Sequence, residues 1–519
     1  MPSVSVRQFG LLLGSAAALL GSVSAFPYNT FDGPGFPACN NVAAVYNVTS
    51  VDEMVSLVKN AAANGTPVRA SGKGHMWYDT MCQDDPRTII IRTENTNKIS
   101  DLRLEPGAAS GSVVIEAGVT FLQLAEYLHE NNASMGYTLV NWNISMAGAA
   151  AMGAHRSSLR EDSGVSAGVL SMDIINGNGE IVTVERNETN DDWLAASTSL
   201  GLLGVIARMK FKIYPDFKVF SQQKTLEEDD VLNGDIYGMI APYATANFWW
   251  WPYLKKFHHR YYDEVPLTLS DQQGFQNTFS LTDLEAGAAK GILESGKYLA
   301  TSNMLAETIF FGLWSKPNFK EKTNWKDISQ WPVYGWNYDV LIGGLYPDQK
   351  PEWEHGMHGE TLEMAFPITQ ANDMLKRVRK FFDDEWKDKG IVMTSTYRSG
   401  INIKFGKAYY DLLGQTTYNT SDGADWSKGA IMFDFPRFKP NGGDGKPFNP
   451  DFCKPQTRQG PDRRVPMPAA LDQKHAGDFQ YGKKNIDPDH LARFKAVREK
   501  FDPNNIYKSV LGEIMGLYD

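Results

Sequence analysis

Cysteine is scarce in this chain of 519 residues: Cys39, Cys82 and Cys453 are the 3 present. An odd number leaves at least one thiol unpaired, or pairs it between chains. No basic stripe or arginine cluster appears, and the formal net charge is -10. A nucleic-acid surface is therefore not expected, and the acidic excess reads as solvated surface. Beyond the N-terminal segment no run is long and apolar enough to span a membrane. No internal repeat is visible, no tract is biased enough to predict disorder, and no metal site is expected.

What is present points to a large, exported, two-domain protein. The length is too great for one small core, and an apolar fraction of 42% is ample for packed interiors. Arg7 precedes an apolar run from Phe9 through Leu20, and the small residues Val23, Ser24 and Ala25 come before Phe26. That order is the order of a secretory signal, so residues 1–25 are expected to be removed. Asn-x-Ser/Thr sequons at Asn47, Asn132, Asn143, Asn187 and Asn419 fit export. Cys39 and Cys82 flank the first half of the expected cofactor domain, and they are the expected disulfide pair.

From residue 50 the pattern alternates helix and strand. Ser50 to Glu53 is a capping box, Met54, Leu57, Val58 and Ala61 share one helical face, and Gly65 ends the helix. Thr120 caps a second amphipathic helix carrying Phe121, Leu124, Ala125 and Leu128. Asn176-Gly177-Asn178-Gly179, between two apolar runs, is a hairpin signal. Near Pro215 the character changes, and aromatics crowd Phe248-Trp249-Trp250-Trp251-Pro252-Tyr253. Such density marks core, a sheet face or a substrate wall.

The most informative stretch is Arg69-Ala70-Ser71-Gly72-Lys73-Gly74-His75. Its glycines let the backbone turn tightly and approach a ligand, and the N–H groups of such a turn form an anion-attracting nest. A histidine directly after the nest is a nucleophile held beside what the nest binds. A diphosphate-bearing cofactor with a reactive ring suits both halves.

With that stretch, four more blocks resemble the FAD-linked oxidases of the vanillyl-alcohol oxidase superfamily. They are Val114 to Val119, Ser145 to His155, Ser171 to Asn176 and Ser199 to Ile206. The sugar-1,4-lactone oxidase and alditol oxidase branch is the most similar. Phe248 to Tyr253, Glu363-Met364-Ala365-Phe366-Pro367 and Gln480-Tyr481-Gly482-Lys483 resemble three of its later motifs. Two departures stand out. The branch's His-Trp is Gln480-Tyr481, and its Glu-x-Arg is Thr396-Tyr397-Arg398, without the glutamate.

The resemblance implies an α+β fold: a PCMH-type two-subdomain FAD-binding domain over residues 26–215 and an α+β substrate or cap domain on an antiparallel sheet over 216–470. A C-terminal segment, 471–519, returns to the flavin. FAD is the implied cofactor, attached covalently through His75. No cysteine lies between Asn143 and Gly153 to add a second bond. A non-covalent flavin beside an unreacted His75 is the alternative. The implied cofactor-binding set is Arg69, Ser71, Gly72, Lys73, Gly74, His75, Ser145, Gly148, Gly153, His155, Gly204, Ile206 and Lys483. Backbone N–H groups at Gly72 to Gly74 and Gly148 to Gly153 would hold the diphosphate. Lys483 matches the cation that stabilises the reduced ring, and Arg398 the arginine near the substrate oxygen. Ser145 and Tyr481 complete the catalytic candidates. The implied reaction oxidises a small-molecule alcohol with dioxygen. A dehydrogenase with another electron acceptor, and a binding protein that has lost catalysis, are the alternatives.

Overall fold

The structure, a computed structural model, describes residues 26–29, 38–75, 82–83, 85–138, 141–161, 164–269, 273–277, 280–295, 300–389, 399–408, 410–414, 423–439 and 486–518. Its first layer is a small parallel sheet. Strand β1 (Ala44–Asn47) leads into helix α1 (Val51–Asn64), then β2 (Val68–Ser71) and β3 (Ile89–Arg92), with β3 in the middle. Ser50 caps α1 by accepting from the Glu53 N–H at 3.2 Å. Gly65 ends it in the left-handed region, where a Cβ would be strained. Met54, Val58 and Ala61 face the core, as their spacing predicts. Cys39 and Cys82 are joined in a disulfide.

The second layer is antiparallel. It comprises β4 (Ile99–Arg103), β5 (Gly111–Glu116), β6 (Val169–Ile175), β7 (Ile181–Glu185) and β8 (Val205–Pro215), in the order β7-β6-β8-β5-β4. The Asn176–Gly179 turn closes the β6–β7 hairpin, with Gly179 at φ 75°. Helix α2 (Phe121–Glu130) begins at a complete capping box between Thr120 and Gln123. The short helix α3 (Met146–Ala151) follows it. One continuous core joins both layers to the helix α4 (Pro488–Phe501) through Phe494 and Phe501, and to Tyr507 beyond its end.

Strand β8 ends at Pro215, and Lys218 opens a seven-stranded antiparallel sheet. Its strands are β9 (Lys218–Glu227), β10 (Thr245–Trp251), β11 (Lys256–Val265), β12 (Val333–Trp336), β13 (His358–Pro367), β14 (Ile401–Gly406) and β15 (Ala430–Lys439). The order is β12-β9-β11-β10-β14-β15-β13. Residues directly opposite each other share a face, so the register separates two surfaces. Met364, Phe433, Ile403 and Phe248 form one cross-strand row, and Phe435, Ile401, Trp250 and Phe257 the next. Both rows are buried in a core of their own. Burying each of these side chains is worth about 1.5–3 kcal/mol. The opposite face carries Glu363, Asp434, Asn402 and Trp249 in one row and Lys404, Asn247 and Arg260 in the next. Met432 and Ala365 continue the second row, so the polar side chains sit among apolar ones on this face.

The candidate flavin cavity and the domain seam

Where β2 leaves the small sheet, the chain turns at Gly72 and lines a cavity of about 270 Å³. Arg69, Ser71, Gly72, Lys73, Gly74 and His75 form one wall, Ser145 and Gly148 a second, and Gly204 and Ile206 a third. Three segments far apart in the chain are thus brought together. The geometry requires glycine. A Cβ on Gly72 would stand 2.2 Å from Ser145 Oγ, and one on Gly204 (φ +153°) 2.3 Å from the Ile175 carbonyl oxygen. Among the described residues, the N–H groups of Gly72, Lys73, Gly74, Ala147 and Gly148 find no acceptor. Clustered, unspent N–H donors with no side chain in front of them suit a diphosphate. Ser145, the residue before α3, makes no capping bond, and it stands on the cavity wall.

Arg69 acts differently from a ligand-binding cation. Its Nη1 donates to the Gly201 carbonyl at 2.8 Å and to the Tyr507 carbonyl at 2.6 Å. It therefore ties the nest to the third wall and to the returning C-terminus, where Leu511 also reaches the cavity. His75 closes one end. Burial pushes its pKa down to about 4, so the imidazole is neutral at neutral pH and keeps a lone pair for bond formation. The Trp353 ring meets it edge-on, with centroids 5.2 Å apart.

Two of the expected cofactor ligands stand off this wall. Gly153, at φ +70°, turns the chain beside Thr198. His155 points away toward the cap: its Nε2 lies 2.7 Å from Glu363 Oε1, and its Nδ1 3.1 Å from the Arg156 carbonyl oxygen. Both neighbours are acceptors, so the imidazole is held between the carboxyl group and the carbonyl. Arg398, Tyr481 and Lys483 lie outside the described residues.

Directly after His155 the chain is hydrogen-bonded to the seven-stranded sheet, the expected cap. Ser157 Oγ donates to the Ala246 carbonyl at 2.6 Å and accepts from the Phe405 N–H at 3.2 Å. Ser158 Oγ donates to the Ala244 carbonyl at 2.6 Å. The cavity wall and the polar face of the cap are thus joined by one short, buried segment. Sequence reasoning quoted Glu363 within a motif without giving it a partner, and passed over Trp353, Asn247 and Lys404. The alternation Ile401-Asn402-Ile403-Lys404-Phe405 was a readable signal for the last.

A glycine-lined cavity in a two-layer domain, beside an antiparallel sheet, is a fold this chain shares with solved flavoprotein oxidases. Residues 42–185 match the family described as FAD binding domain. A solvent-stable cholesterol oxidase superposes with a TM-score of 0.72 at 14% identity, covering 95% of this chain and 97% of its own. A xylooligosaccharide oxidase from Myceliophthora thermophila C1 does so at 0.56 and 14% identity, covering 95% of each. At these identities the likeness is one of fold. In sequence the chain is similar to sugar-1,4-lactone oxidases. The D-arabinono-1,4-lactone oxidase of Kluyveromyces lactis is 28% identical over 243 residues, 45% of this chain and 44% of that protein. The L-gulonolactone oxidase 2 of Arabidopsis thaliana is 23% identical over 68% of this chain and 63% of that protein. The aligned part is less than two thirds of either relative. The expected α+β class holds, and the expected resemblance to FAD-linked oxidases, with sugar-1,4-lactone oxidases among the similar sequences, is what the comparisons find. No helix among the described residues is long and apolar enough to cross a membrane.

Proposed function

We propose that the protein is an FAD-dependent oxidase that converts an alcohol carbon of a small molecule to a carbonyl. The observation that carries this reading is His75 at the end of a cavity walled by Gly72 to Gly74, Gly148 and Gly204, whose backbone N–H donors are unspent among the described residues. The residues fit FAD: the nest and the α3 start would hold its diphosphate, and His75 would anchor its ring. When bound, FAD supplies a two-electron acceptor for a substrate hydride and passes the electrons to dioxygen, giving hydrogen peroxide. The chain's part is to orient the C–H bond, hold the hydroxyl oxygen and let the hydroxyl proton leave to solvent. A sugar, lactone, polyol or natural-product alcohol fits this reading.

The same proposal makes the protein a secreted one. The signal-like N-terminus, the Cys39–Cys82 disulfide and the exposed sequon residues Asn47, Asn132 and Asn187 support export.

Purified protein should be yellow, should keep its colour through acid precipitation, and should release peroxide with an alcohol from a panel of polyols, aldonolactones and aromatic alcohols. His75→Ala should still bind FAD but lose it to acid. A colourless protein, or flavin that no alcohol reduces anaerobically, overturns the reading.

A further inference from the structure

We propose that Lys404 and Asn247 form the site that holds the reacting hydroxyl, an assignment that rests on the oxidase reading above. They stand directly opposite each other on β14 and β10, on the polar face of the cap sheet. Lys404 is partly buried, with 23% of its side chain exposed, and its ammonium lies 4.0 Å from Glu363 Oε1. Among the described residues it makes no hydrogen bond, so its N–H donors are unspent. Asn247 is 5% exposed; its Nδ2 donates to Asn402 Oδ1 at 3.3 Å, while its Oδ1 is buried without a partner.

The buried, orphaned Asn247 Oδ1 is costly unless a donor fills it, and the partly exposed Lys404 directly across from it has donors to spare. An alcohol hydroxyl meets both by its own chemistry: its oxygen accepts from Lys404 Nζ and its O–H donates to Asn247 Oδ1, and when the carbon gives up its hydride the hydroxyl proton leaves to solvent past the partly exposed Lys404. Two unlinked donors or two unlinked acceptors would not select for it. Glu363 sets where Lys404 can reach, and Glu363 is itself fixed by His155, next to Ala154 of the cavity wall. In this scheme Lys404 and Asn247 touch the substrate, whereas Glu363 and His155 position them. The missing glutamate of the Thr396-Tyr397-Arg398 sequence is then no obstacle, because the hydroxyl is met by Lys404 and Asn247.

The test uses the holoprotein and whichever member of the panel (xylitol, a pentono-1,4-lactone, benzyl alcohol) reduces the flavin fastest without oxygen. Lys404→Met should slow anaerobic flavin reduction about 100-fold, and Lys404→Arg should recover part of it. Asn247→Leu should weaken binding roughly tenfold. A second measurement needs no turnover. Calorimetry on dithionite-reduced protein compares the alcohol with its deoxy analogue. The wild type should prefer the alcohol by about tenfold, and both variants should lose that preference. Unchanged melting temperature and flavin content guard against misfolding. Flavin reduction by an alcohol together with undiminished discrimination in both variants would overturn the assignment alone. Flavin that no alcohol reduces would instead remove the oxidase reading beneath it.

Discussion

The cavity wall and the cap sheet solve recognition in opposite ways. The wall is built from backbone: Gly72 to Gly74, the start of α3 and Gly204 present N–H groups and no bulk. The cap face is built from side chains: Glu363, Asn402, Lys404, Asn247 and Arg260 stand in cross-strand rows. Backbone donors cannot be changed by substitution without moving the chain, so they suit a cofactor whose shape never varies. Side chains on a rigid sheet can be exchanged one at a time without disturbing the fold, so they suit a substrate that differs between relatives. This is why the resemblance is firm for the flavin and loose for the alcohol.

The strongest way to break that comparison is Gly72→Val. The first added carbon would meet Ser145 Oγ at 2.2 Å and Ser145 Cβ at 2.9 Å. The nest must open or Ser145 must move, at about 1–3 kcal/mol of strain, so FAD affinity should fall about 10–100-fold. Flavin absorbance per protein measures this directly. Full loading in the variant would show that the walls adapt, and that the backbone is not the template argued above.

A smaller effect sharpens the contrast from the cap side, where side-chain chemistry carries a cost in stability. Glu307 is 1% exposed and accepts from the Tyr253 and Leu254 N–H groups at 2.9 and 3.1 Å. Burial pushes its carboxyl up to about 8. On unfolding it would ionise near 4.5, so the unfolded chain gives up this proton first. The carboxyl's contribution is therefore complete below about pH 4.5 and shrinks as pH rises toward 8. Glu307→Gln keeps both acceptor bonds and removes the ionisation. It should stabilise the protein by up to about 3 kcal/mol at pH 7 and by nothing near pH 4.5, as read by denaturant midpoints. His258 and His259, held down to about 4 by burial, act with the opposite sign. In the unfolded chain they take up protons near 6.5, so stability falls between pH 6.5 and 4. A flat difference between wild type and Glu307→Gln across pH would contradict a buried, proton-bearing Glu307.

The two regions also differ in how well the sequence announced them. The nest was legible because glycine and histidine types state a local geometry within seven residues. The caps of α1 and α2 and the β6–β7 hairpin were legible for the same reason: each is a short-range rule. The Cys39–Cys82 pair came from position along the chain rather than from shape. The polar face of the cap was not legible. Lys404 and Asn247 are separated by more than a hundred residues, and only strand register makes them neighbours. His155 was read as part of the flavin loop because it sits in that block. The structure turns it outward, because Ser157 and Ser158 must reach the cap strands and carry the chain away from the cavity.

That segment supplies the smallest test, at the join between the two solutions. Ser157 is fully buried, and its hydroxyl both donates to Ala246 on β10 and accepts from Phe405 on β14. Ser157→Ala leaves a buried N–H and a buried carbonyl each short of a partner, a loss of about 1–3 kcal/mol. Because the bonds run between domains, the loss should not be uniform. Protection of amide hydrogens should weaken first along β10 and β14, while α1 and the small parallel sheet keep theirs. An equal loss of protection everywhere would mean that the flavin domain and the cap unfold as one unit. The seam would then be a region of a single core rather than the hinge between a backbone-built site and a side-chain-built one.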